Sequence, residues 1–253
     1  MSESTPSAVS ADTIRNFHAD GLLGPFELCP PDEMAALHER LLAEEFTAQD
    51  PPSGWWGNAR HLDSRRVYDL CAHPAILDRL EALVGPDLVL WNSGFWIKEP
   101  DGSAVPWHQD LHYWPMDPPL NFTAWVAITE TTAENGALEV LPGSHLSVLP
   151  TAAAPDDVLF ETMADPKAFD GEGGRLLEMR AGECILFNDR LLHRSGRNTT
   201  ASDRTGLVVR YTVPMVQLFQ DRLPLFPAHH TIVVRGRDRF GKNRSGPAPA
   251  ADG

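Results

Sequence analysis

The stretch Trp107-His108-Gln109-Asp110 is the part of the sequence whose side chains point most directly to chemistry. In an extended strand residues i and i+2 lie on the same face, so His108 and Asp110 can reach one ion. Two histidines and one carboxylate form the facial triad of non-haem Fe(II) oxygenases, which leaves coordination positions open for substrate and oxygen. The stretch therefore offers two of the three ligands of such a site.

The His-x-Asp spacing is not specific, because it also occurs at His18-Ala19-Asp20 and His61-Leu62-Asp63. The first pair lies at a predicted helix end, where i and i+2 diverge, and the second lies in a polar stretch without a strand pattern. The segments that follow His108 are more informative. They are a strand pattern at 122–129, the turn Leu141-Pro142-Gly143-Ser144-His145, the run Leu192-His193-Arg194-Ser195-Gly196-Arg197-Asn198, and Arg204, 11 positions after His193.

From about residue 13 to about residue 240 the sequence resembles the phytanoyl-CoA dioxygenase (PhyH) family of Fe(II)- and 2-oxoglutarate-dependent oxygenases, in particular its bacterial specialised-metabolism members. The resemblance rests on four motifs in order: Phe17-His18-Ala19-Asp20-Gly21, W-H-Q-D, P-G-S-H and H-x-S-x-x-N. It implies a mainly β protein with a double-stranded β-helix (jelly-roll, cupin-like) core and N-terminal helices packed outside. It also implies a dioxygenase that uses Fe(II), 2-oxoglutarate and O2 and releases succinate and CO2.

The resemblance also implies roles for individual residues. His108, Asp110 and His193 are the expected iron ligands. Arg204 is expected to bind the distal carboxylate of 2-oxoglutarate, because a planar guanidinium pairs with a carboxylate through two hydrogen bonds. Ser195 is expected to hydrogen-bond that same carboxylate.

Six further residues are candidates for contact with the cosubstrate or the substrate: Trp125, Asn92, Tyr113, Trp114, His112 and Arg210. Trp125 matches a family position beside the cosubstrate, whereas Asn92 could equally serve a turn. His112 shares the strand parity of the ligands, so it either lines the pocket or competes for the metal. Arg210 is interpreted as a substrate anchor or as a charge on a strand face.

The expected reaction is the hydroxylation of a small organic molecule, such as a natural-product or amino-acid-derived intermediate. Desaturation, epoxidation and cyclisation would use the same iron site. Related halogenases replace the carboxylate ligand by a small residue and bind chloride there, so the presence of Asp110 favours oxygenation. The alternative from another class is a cupin-like metal isomerase or lyase that needs no cosubstrate.

Composition excludes several classes of partner. Lys+Arg 21 against Asp+Glu 35 gives a net charge of −14, which disfavours nucleic acid and anionic membranes. The apolar stretches are too short to span a bilayer, and the N-terminus lacks the pattern of a signal peptide. Three widely spaced cysteines predict free thiols in the cytoplasm. The sequence leaves open the oligomeric state and whether the substrate is free or tethered to a carrier protein.

The spacing of apolar residues predicts helices first and strands afterwards. Helices are predicted at 13–18, 32–42 and 74–84, and strands at 88–97, 122–129, 137–141, 176–179, 184–187, 206–213 and 231–234. A single domain is expected at 11–240, between a disordered lead at 1–10 and a disordered tail at 241–253. The Ala-, Asp- and Pro-rich insertion at 150–174 is a candidate lid, and with the aromatic segment around Trp55 it is expected to set specificity.

Overall fold

The computed structural model describes residues 9–47, 57–219, 222 and 228–251, so most of the predicted lead and the segment around Trp55 lie outside the described residues. Its helices are α1 (Ala11–Asp20), α2 (Pro31–Arg40), α3 (Arg65–Cys71) and α4 (Pro74–Val84). A π-helical turn, Leu41–Glu45, continues α2. The bounds of α4 agree with the prediction, because Pro74 occupies the first turn and Gly85 ends the helix.

Fourteen strands follow or interleave with these helices in the described residues. They are β1 (Leu22–Glu27), β2 (Leu88–Lys98), β3 (Val105–His108), β4 (Met116–Asp117), β5 (Phe122–Ala127), β6 (Leu138–Leu141), β7 (Thr151–Ala153), β8 (Thr162–Ala164), β9 (Arg175–Leu177), β10 (Glu183–Asn188), β11 (Leu192–Ser195), β12 (Arg204–Thr212), β13 (Gln217–Leu218) and β14 (Ile232–Arg235). The sequence reasoning found most of the longer strands and treated the stretch at 107–110 as extended, but it missed β1, β11, helix α3 and the short strands β4, β7, β8 and β13. These missed elements are short, and β1 is interrupted by Gly24 and Pro25.

Two antiparallel sheets form the body of the protein. The larger sheet has the order β1-β10-β5-β12-β2-β14, and the smaller has the order β3-β11-β6-β9. Two short pairs, β13-β4 and β7-β8, lie outside them. Neighbours in both sheets are distant in the sequence, as expected of the predicted jelly roll.

The period-two alternation of the central strands divides the core into two layers. On β5, Trp125 and Ala127 belong to the cluster between the two sheets, which also contains Val140 of the smaller sheet. Ala124 and Val126 belong instead to the cluster that packs the helices against the outer face of the larger sheet. The sheets therefore enclose an interior, and the helices cover it from outside, as the resemblance implies.

Residues near the C-terminus contact the body of the protein. Asn243 donates from Nδ2 to the carbonyl of Val216 and accepts from the amide of Leu218, both at 2.8 Å. Ser245 forms a parallel bridge with Thr231. Low-complexity composition did not indicate these contacts, because they depend on a few backbone partners rather than on an apolar pattern. Among the described helices none combines the length and apolar character needed to span a bilayer.

The turn before β10 leads to a stability prediction. Gly182 has φ +87°, and a Cβ there would lie 2.2 Å from the carbonyl oxygen of Cys29. We expect Gly182→Ala to lower the free energy of unfolding by about 3 kcal/mol, since left-handed strain and overpacking add. Gly173 has φ +82° but no atom within 4 Å of a built Cβ, so Gly173→Ala should cost only about 1 kcal/mol. Urea unfolding of both variants measures the difference, and equal losses would contradict the steric explanation.

Candidate functional site

Two paired strands and one helical turn bring the three predicted ligands together. His108 is the last residue of β3, and His193 lies opposite it on β11 in the antiparallel register. Asp110 differs from the expectation of one continuous strand, because it opens a 3-10 helix, Asp110–Tyr113. The chain thus leaves the strand directly after His108, but the carboxylate still reaches the same point. All three side chains are buried, and their ligand atoms lie within 4.8 Å of one another.

Backbone carbonyls orient both imidazoles. Nδ1 of His108 donates to the carbonyl of Pro106, and Nδ1 of His193 donates to the carbonyl of Leu191, each at 2.9 Å. These bonds leave Nε2 as the free nitrogen of each ring. The two Nε2 atoms lie 3.7 and 4.0 Å from Oδ1 of Asp110. Three lone pairs therefore face one point, which is the arrangement that a divalent metal needs.

The electrostatics of these groups favour a metal. Burial, and then the neighbouring His108, lower the pKa of His193 to about 3, so its imidazole is neutral at physiological pH. Burial by itself would raise the pKa of Asp110, but Arg210 and the two histidines outweigh it and hold that pKa well below its usual value. The ligand set is one carboxylate with neutral imidazole, and this donor set fits Fe(II) with coordination positions left open.

The second oxygen of Asp110 faces the chain rather than the metal position. Oδ2 accepts a hydrogen bond from Oγ1 of Thr123 at 3.3 Å. It also lies 3.5 Å from Nη2 of Arg210, whose guanidinium carbon is 4.4 Å from the centre of the Trp114 ring. Arg210 and Thr123 are paired residues on β12 and β5. The large sheet therefore supports the carboxylate from behind.

A cavity of about 270 Å³ opens beside the three ligands. Pockets for drug-sized ligands are typically about 300–1,000 Å³, so this one suits small molecules. Arg204, Ser195 and Trp125 all line it, as do the ligands and Arg210. The guanidinium carbon of Arg204 lies 5.3 Å from the centre of the Trp125 ring.

The surroundings of Arg204 favour a bound anion. It is 4% exposed, and its Nε has no hydrogen-bond partner among the described residues. A buried donor without a partner is costly, and a carboxylate would satisfy it. Burial lowers the pKa of Arg204 to about 10, which leaves it charged at physiological pH. The cavity therefore fits 2-oxoglutarate, with one carboxylate at Arg204.

Lys98 is a site residue that the sequence reasoning missed. It ends β2 directly opposite Arg204 and lines the same cavity. Its ammonium donates to Oγ of Ser195 at 2.9 Å and to the carbonyl of Gly196. Burial, with repulsion from Arg204 and Arg197, lowers the pKa of Lys98 to about 7. The available signal was a lysine directly after the predicted strand at 88–97.

The sequence also gave no indication of Phe160, which covers the metal site from the 150–174 insertion. The Phe160 ring meets the His108 ring edge-on at 4.9 Å, and the Tyr113 ring lies 5.4 Å away. The hydroxyl of Tyr113 donates to the carbonyl of Thr162 at 3.2 Å, and the amide of Leu159 bonds the carbonyl of Ala104 at 3.0 Å. The insertion is thus attached to both sides of the cavity.

Four of the predicted contact residues do not line the described cavity: His112, Asn92, Tyr113 and Trp114. His112 is exposed on the 3-10 helix, and its Nε2 is 3.0 Å from the carbonyl of Leu149, so it neither joins the ligands nor lines the described cavity. The alternation of side chains along a strand had placed His112 on the face of the ligands, but strand β3 ends at His108 and the chain then turns into the 3-10 helix. Asn92 is buried, but its Oδ1 accepts from the amide of Ser93 at 2.9 Å and it does not line the described cavity either.

Comparison with known proteins gives the family. Residues 17–206 match the model of the phytanoyl-CoA dioxygenase (PhyH) family, and the chain belongs to this family. Peroxisomal phytanoyl-CoA dioxygenase of Bos taurus is 31% identical over 156 residues, which are 57% of this chain and 45% of that protein. The chain thus spans about half the length of the phytanoyl-CoA dioxygenases that it matches.

Two further relatives match this chain over a larger share of their own length. Ectoine dioxygenase of Streptomyces avermitilis is 28% identical over 81% of this chain and 79% of that protein. The solved structure of the non-haem monooxygenase ThoJ without ligands has a TM-score of 0.81 and 26% identity, over 95% of this chain and 90% of that one. This likeness confirms the predicted jelly-roll fold. Dioxygenases of the family use Fe(II), 2-oxoglutarate and O2, the cofactors that the resemblance implied.

Metal binding should depend on these ligands and not on the neighbouring histidine. We expect Asp110→Ala and His193→Ala to weaken Fe(II) binding by more than about 100-fold, because each removes a direct ligand. His112→Ala is the matched control and should bind Fe(II) as the wild type does. Anaerobic equilibrium dialysis with circular dichroism as a folding check measures this, and normal binding by His193→Ala would refute the assignment.

Proposed function

We propose that this protein is a non-haem Fe(II)- and 2-oxoglutarate-dependent dioxygenase that hydroxylates a small organic molecule. The observation that carries the proposal is the convergence of His108, Asp110 and His193 beside Arg204 in one cavity. Bound iron and 2-oxoglutarate would supply the chemistry, in which O2, the cosubstrate and a substrate C–H bond give succinate, CO2 and an alcohol. The family membership supports this reaction class.

The chain's own residues would bind and orient the reactants. The two histidines and Asp110 hold the metal, and their orientation is fixed by the carbonyls of Pro106 and Leu191. Arg204 would bind the distal carboxylate of 2-oxoglutarate. Lys98 would add a second positive charge there and hold Ser195 in place. This arrangement selects a ligand that is anionic at the end remote from the metal.

The insertion at 150–174 would exclude water and shape the substrate space. Phe160 contacts His108, so its ring limits the open side of the metal site. The hydrogen bonds from the Leu159 amide to Ala104 and from the Tyr113 hydroxyl to the Thr162 carbonyl support a docked position for this segment. Water exclusion strengthens every electrostatic interaction inside such a site. We therefore assign substrate selection to this segment together with Tyr113.

We propose a small organic substrate, of natural-product or amino-acid-derived type, either free or tethered to a carrier protein. The ectoine dioxygenase relative supports a small substrate, as does the cavity of about 270 Å³. We also propose a cytoplasmic location. Cys29, Cys71 and Cys184 are free thiols, which is usual in a reducing compartment.

Other outcomes at the same metal site are less well supported. Halogenation needs a small residue where the carboxylate ligand stands, and Asp110 occupies that position. A cosubstrate-independent isomerase or lyase would give Arg204 no ligand, which leaves its buried Nε without a partner. Desaturation, epoxidation and cyclisation share the residues named above, so product analysis separates them from hydroxylation.

The cosubstrate chemistry can be tested without the substrate. We expect anaerobic protein with Fe(II) and 2-oxoglutarate to show the visible absorption band of the iron–oxo acid chelate, and to form succinate after air is admitted. Arg204→Gln should weaken the 2-oxoglutarate dissociation constant by about 10- to 100-fold, because a charged hydrogen-bonding partner is lost. Metal binding without a chelate band in the wild type would favour the isomerase or lyase alternative.

The affinity for 2-oxoglutarate should fall as pH rises. Lys98 is protonated below its pKa of about 7 in the free protein, and a bound dianion favours the protonated form. The dissociation constant should therefore increase, by up to roughly 20-fold, between pH 6.5 and 8.5. Lys98→Met should bind weakly and with little pH dependence across this range. Calorimetry with the Mn(II)-loaded protein measures both, and a flat wild-type profile would contradict a role for Lys98.

A further inference from the structure

Two arginines lie on the same face of β12. Arg204, Gly206, Val208 and Arg210 alternate along the strand, so their side chains lie on one side of the sheet. Both arginines line the cavity that contains the three metal ligands. Six positions of an extended strand span about 20 Å, so the two arginines start from well-separated backbone positions.

The two arginines have the same local construction. Each guanidinium lies over a tryptophan ring, Arg204 over Trp125 at 5.3 Å and Arg210 over Trp114 at 4.4 Å. Each side chain is buried, with exposures of 4% and 6%. In each, Nε has no hydrogen-bond partner among the described residues. A buried arginine with a free donor on an aromatic face is prepared for a planar anion.

The neighbours of Arg210 indicate which anion it receives. Its Nη2 lies 3.5 Å from Oδ2 of Asp110, which is too long for a strong hydrogen bond. Oδ2 is the oxygen of Asp110 that does not face the histidines, but Arg210 also lines the cavity that contains all three ligands. A carboxylate that chelates a metal at these ligands would therefore occupy a cavity that Arg210 lines. The 2-oxo acid end of 2-oxoglutarate has such a carboxylate.

We propose that Arg210 binds the metal-chelating carboxylate of 2-oxoglutarate, so that Arg204 and Arg210 hold the two ends of one cosubstrate molecule. The proposal rests on the proposed function. It assigns Arg210 to the cosubstrate, whereas the sequence suggested a substrate anchor or a charge on a strand face. It also explains why two buried arginines, each over a tryptophan ring, line one cavity.

Local charge is consistent with this arrangement. Three cationic side chains, Lys98, Arg204 and Arg210, line the cavity, so it favours an anionic ligand such as a dicarboxylate. Asp110 contributes one negative charge to the metal, and it is the only carboxylate among the cavity-lining residues that is buried in the described structure. A second bound carboxylate would give the buried Nε of Arg210 the partner that it lacks among the described residues.

The test measures 2-oxoglutarate binding in the absence of substrate. Wild type, Arg210→Gln and Arg210→Lys are saturated with Fe(II) under anaerobic conditions and titrated with 2-oxoglutarate, with the chelate band as readout. We expect Arg210→Gln to bind about 10- to 100-fold more weakly, and Arg210→Lys to be intermediate because it keeps the charge but not the planar fork. Arg175→Gln, at an exposed position on β9, is the charge-matched control and should bind as the wild type does.

Titration with a second ligand, 2-oxopentanoate, shows which carboxylate of 2-oxoglutarate Arg210 contacts. 2-Oxopentanoate keeps the 2-oxo acid end and lacks the distal carboxylate. Arg210→Gln should weaken its binding by the same factor as that of 2-oxoglutarate. Arg204→Gln should weaken binding of 2-oxoglutarate but leave that of 2-oxopentanoate unchanged. Arg210→Lys keeps the test informative if Arg210→Gln fails to fold, as judged by circular dichroism.

Three results would overturn the proposal. If Arg210→Gln and Arg210→Lys bind 2-oxoglutarate as the wild type does, Arg210 serves the substrate or Asp110 instead. If both variants weaken only the Fe(II) affinity and bind 2-oxoglutarate normally at saturating Fe(II), Arg210 merely orients the Asp110 ligand. If the wild type and Arg175→Gln also fail to bind 2-oxoglutarate, the proposed function itself is refuted, and the proposal with it.

Discussion

The antiparallel pairing of β3 with β11 is the constraint on which the metal centre depends. It sets His108 directly opposite His193, and the two ring centres lie 4.0 Å apart. Each ring is then fixed by the carbonyl of the residue two positions before it in the chain. A slip of one residue would move His193 to the other face of the sheet, because side chains alternate along a strand. The register of two short strands thus determines the position of both nitrogen ligands.

The larger sheet supplies the charges that complement this centre. β12 contributes Arg204 and Arg210, and its neighbour β2 contributes Lys98. These cations are buried in a chain whose net charge is −14, so the local and overall charges have opposite signs. Burying a cation is unfavourable unless an anion accompanies it, and the cavity has few carboxylates of its own. Its energetics therefore favour an anionic ligand bound in the interior.

Much of the architecture followed from local patterns. Helix α4 has clear end signals, and the long strands β2 and β12 contain the apolar runs 88–91 and 207–209, so the sequence pattern located them. The short strands β3 and β11, which carry the histidines, have no such pattern over their 4 residues each. Their strand structure depends on pairing partners far away in the chain. The C-terminal residues likewise adopt a defined path through single bonds to residues such as Val216.

The sequence by itself determined which side chains are available for the chemistry: His108, Asp110 and His193 as ligands, with Arg204 11 residues later. Their types and order were sufficient to predict these roles, because imidazole, carboxylate and guanidinium groups each have characteristic donor and acceptor properties. Only the tertiary structure decided that His112 points away, that Lys98 lies beside Arg204, and that Phe160 covers the metal site. The physical reason is that these contacts join residues from different strands and an irregular insertion. Neither spacing nor periodicity along the chain specifies which distant backbone such a residue will meet.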